Sequence, residues 1–315
     1  MRPATSIGFA VAPNGAQYFA SIHSPSWSGV AAVNLATGVE TKISQYPDPP
    51  QDQAIYGAFD GRWLVWAEGY SLSNEADWAM LAWDSTSGSV LTLYAPSDGG
   101  ASPTDPIATI PSVQNGVATW TEESDNLSYV HLYDLNTRTD RVIYRGTAAL
   151  GSLWGSDVLL TIGTGHHSDR FVAYSTSSHK EVSLPPALAR VRGITYLAAT
   201  SSEVVWAGKR SQGTWIWRRG FARAQQVSNS SGYAEFFGEA ASDFIWTEGN
   251  SGSVVADPST GSISRFPFRF PEVTAAGEAI LVGYAVPGHG KTANPLWINS
   301  VLNVATLPHL RRCNS

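Results

Sequence analysis

Asp60-Gly61-Arg62-Trp63-Leu64-Val65-Trp66-Ala67-Glu68 is a tight-turn pair running into a strongly apolar strand. The same unit recurs along the chain. Asn14-Gly15 precedes QYFASI, Asn115-Gly116 precedes VATWTE and Ser156-Asp157 precedes VLLTIG. Ser202-Glu203 then precedes VVWAGK, Ser242-Asp243 precedes FIWTEG and Gly277-Glu278 precedes ILVGYA. Seven openings separated by steps of about 44 residues match the spacing of four-strand repeats.

Working outward from each opening strand, a polar loop leads to a second apolar strand that often ends in a turn signature. These are VNLATG (Val33 to Gly38), WDSTSG (Trp83 to Gly88), YDLNTR (Tyr133 to Arg138) and ADPSTG (Ala256 to Gly261). An Asp or Asn side chain accepts from the backbone two residues on, and Gly supplies positive φ, so each signature predicts a hairpin into a further strand. Ahead of each turn pair lies one more apolar segment, as in SIGFAV, AIYGAF, SLWGS, YLAAT and AEFFG, which is expected to be innermost. No window of 12 or more residues carries helical spacing without a Gly or Pro interruption. The expected architecture is therefore all-β, a seven-bladed β-propeller of four-stranded antiparallel blades forming one domain over 1–315. The blades are expected at about 4–47, 52–96, 103–145, 147–185, 191–228, 232–268 and 272–310. The last strand, VATLPH, offers no interleaved closure, so the alternatives are a last blade completed by the N-terminal segment and a six-bladed ring with one irregular repeat; 105–114 is longer than its equivalents in other repeats.

Composition agrees with sheet: 12 Trp, 12 Tyr and 11 Phe stand against 2 Met. Net charge is −6, and the 20 Lys and Arg occur singly or in pairs such as Arg218-Arg219, without the stripe that neutralises phosphates, so nucleic acid is not an expected partner. The lone Cys313 excludes an intrachain disulfide and a cysteine metal site. Neither a leader nor an apolar run of about 20 residues is recognisable. The expected compartment is periplasmic or extracellular if a leader has been removed, and cytoplasmic otherwise; a monomer without a membrane span is expected.

The recurring pattern of a turn, a strand reading V-x-W-x-E and then Y-x-x-D-L-x-T-G resembles the TolB-like and wider WD-repeat-like bacterial propeller repeats over nearly the whole chain. The strict Gly-His and Trp-Asp signature is missing, which speaks against the eukaryotic scaffold subfamily. The resemblance implies a propeller architecture and leaves activity open, since such folds serve as binding platforms, interaction modules, lyases and hydrolases.

Matching strand ends place Glu68, Glu122 and Glu248 at equivalent positions, with Gly163, Gly208 and Tyr284 in other repeats. They are candidates for a ring that binds a ligand or cation, or else repeat residues that cap strands. The loops leaving those strands carry Tyr70 and Glu75, His166 and His167, Lys209 and Arg210, and His289 and Lys291. Of these, His166, His167, Tyr70 and Arg210 are catalytic candidates, because a base and a carboxylate-neutralising guanidinium are what a lyase needs. His289 joins the ligand-binding candidates. Trp66, Trp120, Trp206 and Trp246 share one register and read as inter-blade core, whereas Trp27 and Trp78 lie in or beside loops and are expected to offer exposed aromatics.

The leading expectation is a non-catalytic module that presents one face to a protein or glycan partner, with no cofactor and no metal. The alternative is a polysaccharide lyase or hydrolase acting on an acidic glycan at the channel mouth, with a divalent cation in the central channel as an option. A sensor half of a longer receptor is the third reading.

Overall fold

The computed structural model describes residues 5–47, 52–69, 78–95, 110–124, 127–163, 168–208, 213–228, 234–240, 243–248, 253–257, 262–265, 272–286 and 296–303. The first blade holds β1 (Thr5–Val11), β2 (Gln17–His23), β3 (Ser28–Asn34) and β4 (Glu40–Gln45). The second holds β5 (Gln53–Phe59), β6 (Trp63–Gly69), β7 (Trp78–Asp84) and β8 (Val90–Tyr94), and the third β9 (Ser112–Gln114), β10 (Val117–Ser124), β11 (Leu127–Asp134) and β12 (Thr139–Gly146). Then come β13 (Ala148–Trp154), β14 (Asp157–Gly163), β15 (Ser168–Ser175) and the short β16 (Glu181–Val182), followed by a helical turn α1 (Pro186–Ala189). The fifth blade holds β17 (Ile194–Ala199), β18 (Glu203–Gly208), β19 (Thr214–Arg218) and β20 (Gln225–Ser228), and the sixth β21 (Ala234–Ala240), β22 (Asp243–Glu248), β23 (Ser253–Asp257) and β24 (Ser262–Arg265). The last repeat contributes β25 (Glu272–Ala276), β26 (Ala279–Val286) and β27 (Leu296–Asn303).

The expectation of seven four-stranded blades is corrected by this topology. Six four-stranded blades form the propeller, and the final repeat gives a three-stranded sheet among the described residues, β26 spending one edge on β25 and the other on β27. The expected outermost strand VATLPH lies outside the described residues. Among the described residues the sheets also number six, because β13 to β20 form one continuous sheet. The cause is the brevity of β16, which pairs with β15 only at Ala173 and Tyr174, so that Ser168 at the other end of β15 is left to bridge Ile194 of β17.

The turn chemistry works as the residues predict. Asn34 Oδ1 accepts from the Ala36 and Thr37 amides, Asp84 Oδ1 from Thr86 and Asp134 Oδ1 from Asn136 and Thr137. Innermost strands β1, β5, β13, β17 and β21 each carry a register shift against the next strand, at Gly8/Ala10, Ala54/Tyr56, Ala148/Leu150, Ile194/Tyr196 and Glu235/Phe237. A bulge adds local twist, and repeating it at one place per blade is a device for strands that must crowd around an axis. Between blades the core is aromatic: Trp66, Trp120 and Trp206 are 0%, 0% and 4% exposed, filling the layers between the first and second, second and third, and fourth and fifth blades. Their inter-blade position agrees with the sequence; the side chain of Trp246 lies outside the described set.

The last sheet packs against β1 and closes the ring, with no strand exchanged among the described residues. Asn299 of β27 accepts the Gly8 amide on Oδ1 at 3.1 Å and donates through Nδ2 to the Ser6 carbonyl at 3.0 Å. Pro13 O accepts the Glu278 amide at 2.9 Å.

Candidate functional site: polar clusters between blades and a basic groove

Two of the strand-end carboxylates, Glu68 and Glu122, turn into the layers between blades. Residues i and i+2 of a strand share a face, so Glu68 follows Trp66, and Glu122 follows Trp120, into the inter-blade layer. Glu68 is 3% exposed and accepts the Trp66 indole N–H at 3.0 Å. Burial, reinforced by the charge of Asp52 and opposed by the indole bond, pushes its pKa up to about 7. Nearby, Tyr46 shares a 2.5 Å hydrogen bond with Ser21 Oγ and accepts the Ala54 amide at 2.8 Å. This cluster ties β2, β4, β5 and β6 together.

A raised carboxyl pKa means that the folded chain binds protons more tightly than the unfolded one, so stability falls as pH rises from the ordinary Glu value to about 7. Glu68→Gln keeps an acceptor for the indole and removes the buried charge. We expect it to stabilise the fold by about 2 kcal/mol above about pH 7 and to be neutral below about pH 4. Urea midpoints of the two proteins across that range check both halves of the expectation.

Glu122 is spent differently. Its Oε2 lies 3.2 Å from His131 Nε2, whose Nδ1 lies 2.9 Å from Asp140 Oδ2. The imidazole stacks on Trp120 with centroids 4.8 Å apart and planes 3° from parallel. Burial pushes the His131 pKa down, but the bonds to Asp140 and Glu122 outweigh it and hold it at about 9, so the ring is a buried imidazolium between two acids. Tyr94 of the preceding blade bonds Glu122 as well, and burial plus that carboxylate push its hydroxyl up. His131 was not singled out by sequence; the usable signal is a polar residue placed opposite Trp120 on the apolar face of β11.

Among the other nominated residues, Trp78 is corrected: it is 1% exposed, sealed between blades with its ring 5.2 Å from Tyr94. Its place opposite Gly69 at the start of β7 is already inside the sheet, so proximity to a loop did not imply exposure. Trp27 is half-buried under Lys42. Tyr70, His166, His167, Arg210 and His289 lie outside the described residues, and Glu248 lies in β22 with its side chain outside them. Among the described residues, no three His, Cys, Asp or Glu side chains are grouped to hold a metal ion, and no helix is long and apolar enough to cross a membrane.

An open groove of about 660 Å³ lies on the outer side of the joint between the fourth and fifth blades. Its walls come from α1, the α1–β17 connection, β18, β19 and the start of β20. Trp206 and Trp215 lie 6.5 Å apart at 10° on one side, and Arg190, Arg192 and Arg223, all exposed, supply the charge. Arg192 Nη1 is anchored on the Ala189 and Val191 carbonyls at 2.8 and 2.6 Å. Among the described residues no carboxylate pairs with any of these three arginines. The missed sequence signal is charge segregation: residues 190–223 hold seven of the 20 Lys and Arg and one acidic residue, Glu203, in a chain of net charge −6.

No family model matches the chain, and no curated protein sequence matches it. Solved structures do resemble it. An oligogalacturonate lyase in complex with manganese superposes with a TM-score of 0.63 at 12% identity, over 96% of this chain and 91% of that one. The oligogalacturonate lyase of Vibrio parahaemolyticus gives 0.58 at 10% identity, over 88% and 85%. A prolyl endopeptidase gives 0.62 at 14% identity over 96% of this chain, which spans about half of that protein, 47%. At these identities the likeness is one of fold, and it establishes the β-propeller.

Proposed function

We propose that this propeller is a non-catalytic binding module that takes an anionic ligand into the groove between the fourth and fifth blades. The observation that carries the reading is the set Arg190, Arg192 and Arg223, exposed around stacked indoles and unmatched by a carboxylate among the described residues. Exposed guanidinium groups beside an apolar wall offer an anion charge-assisted hydrogen bonds that salt screens. The buried clusters around Glu68 and His131 support the same reading from the other side, since they hold blades together and leave a rigid frame for a surface site.

Calorimetric titration with polyglutamate, polygalacturonate and dextran sulfate tests it. At least one is expected to bind, with affinity that falls steeply as salt rises and that disappears in an Arg190→Ala/Arg192→Ala/Arg223→Ala variant. Absence of heat with all three, or equal heat in the variant, would refute the reading.

A lyase acting on an acidic glycan at the channel mouth is the second reading. The likeness of fold to two oligogalacturonate lyases favours it, and its residues would be His166, His167, Tyr70 and Arg210, with a divalent cation as its cofactor.

A further inference from the structure

The turn between β19 and β20, Arg218-Arg219-Gly220-Phe221-Ala222-Arg223, holds a phenyl ring in solvent by construction. Phe221 is 62% exposed. Yet its backbone is locked: its amide donates to the Arg218 carbonyl at 3.0 Å, and its carbonyl accepts the Trp217 indole N–H at 2.8 Å. Gly220 takes φ +89°, which lets the chain reverse there. Arg219 donates its amide to Ser202 O at 2.7 Å and lays its guanidinium over Trp154 at 4.7 Å, while Arg218 pairs with the buried Glu203. A turn this restrained displays Phe221 at little further entropic cost on binding, and rigid aromatic and arginine side chains are the groups that dominate protein interfaces. The next residues, Ala222, Arg223 and Ala224, form the wall of the groove.

Among the described residues, the side chains lining the groove are rich in donors and poor in acceptors. Sugar hydroxyls donate as well as accept, and a site that takes them must offer acceptors. The side chains here are guanidinium groups, which only donate, one Gln226, and apolar surface from Pro186, Val191 and Trp215. The Ala189 and Val191 carbonyls already accept from Arg192. Carboxylates beside apolar side chains suit such a lining, which pairs guanidinium donors with apolar surface.

We infer that the ligand is an acidic peptide segment of a partner protein. Its carboxylates meet Arg190, Arg192 and Arg223, and its apolar side chains pack on Trp215 and Phe221. This inference rests on the anionic-ligand reading above and narrows it.

The test is fluorescence anisotropy on the full chain with four probes: an alternating Glu/Leu peptide, its Gln/Leu and Glu/Ser counterparts, and a uronic-acid oligosaccharide of equal charge. The Glu/Leu peptide is expected to bind, and both counterparts to bind at least several-fold more weakly. Arg190→Ala and Arg223→Ala should each weaken it about tenfold, and Phe221→Ser several-fold, with unchanged melting temperatures because all three side chains are exposed. Preference for the oligosaccharide, or equal binding of the Glu/Ser peptide, overturns the peptide inference and leaves the anionic-ligand reading standing. Failure of every probe, or binding indifferent to the arginine variants, overturns both.

Discussion

His131→Ala is expected to destabilise the fold by about 3–5 kcal/mol, the cost of removing one partner from a buried charge network. The side chain is 6% exposed, and Glu122, at 16%, would be left facing Tyr94 and an emptied space against Trp120. The expected pH dependence separates this from a plain cavity. A histidine whose folded pKa is raised to about 9 contributes stability that is complete below its unfolded value of about 6.5 and is lost as pH rises through 9. On the acid side, burial works against Glu122, but its bonds to His131 and Tyr94 win and hold it below its ordinary value. That share is present above the ordinary Glu value and is lost as pH falls through the lowered one. The native protein should therefore lose about 2–3 kcal/mol between about pH 6.5 and 9, and His131→Gln, which keeps bulk and polarity but cannot become an imidazolium, should lose none of it. Urea midpoints against pH measure both; parallel curves for the two proteins would show that the imidazolium contributes nothing.

This network shows where sequence reading stops. Turn pairs and apolar strands announce the repeat, because an Asx turn followed by alternating apolar residues has few other structures open to it. The strand-end carboxylates were harder to place. Spacing puts Glu68 and Glu122 at equivalent positions, which suggests a ring around the channel, yet the register that buries Trp66 and Trp120 turns their i+2 neighbours the same way, burying Glu68 fully and Glu122 in part. What each acid does there depends on its cross-strand and cross-blade neighbours: an indole N–H for Glu68, an imidazole and a phenol for Glu122. No motif spells that out. The groove was less legible still, since Arg190 and Arg192 come from the connection after α1 and Arg223 from the turn into β20, and α1 spans a single four-residue turn that no helical period can reveal. Charge segregation over 190–223 was the trace it left.

The count of four-stranded blades turned on how the ring ends, and that junction makes the other large prediction. Gly277 adopts φ +57°, and a Cβ built on it would stand 2.3 Å from the Pro13 carbonyl oxygen and 2.6 Å from the Pro13 Cβ. The same carbonyl accepts the Glu278 amide that joins the last sheet to the first blade. Neither side can yield: the obstacle is backbone, and moving it breaks the bond that closes the ring. Gly277→Ala should then combine the left-handed penalty of about 1 kcal/mol with overpacking of about 1–3 kcal/mol and the lost closure bond, roughly 3–5 kcal/mol together. Gly38→Ala is the matched control, because Gly38 has φ +68° with nothing within 4 Å of the added Cβ, so the left-handed penalty alone applies. In urea denaturation followed by hydrogen exchange, Gly277→Ala should lower the midpoint several times more than Gly38→Ala and strip protection first from β1 and β26. Equal losses from the two variants would mean that the contact between Gly277 and Pro13 does not hold the ring shut, and that the Asn299 bonds to Gly8 and Ser6 carry closure instead.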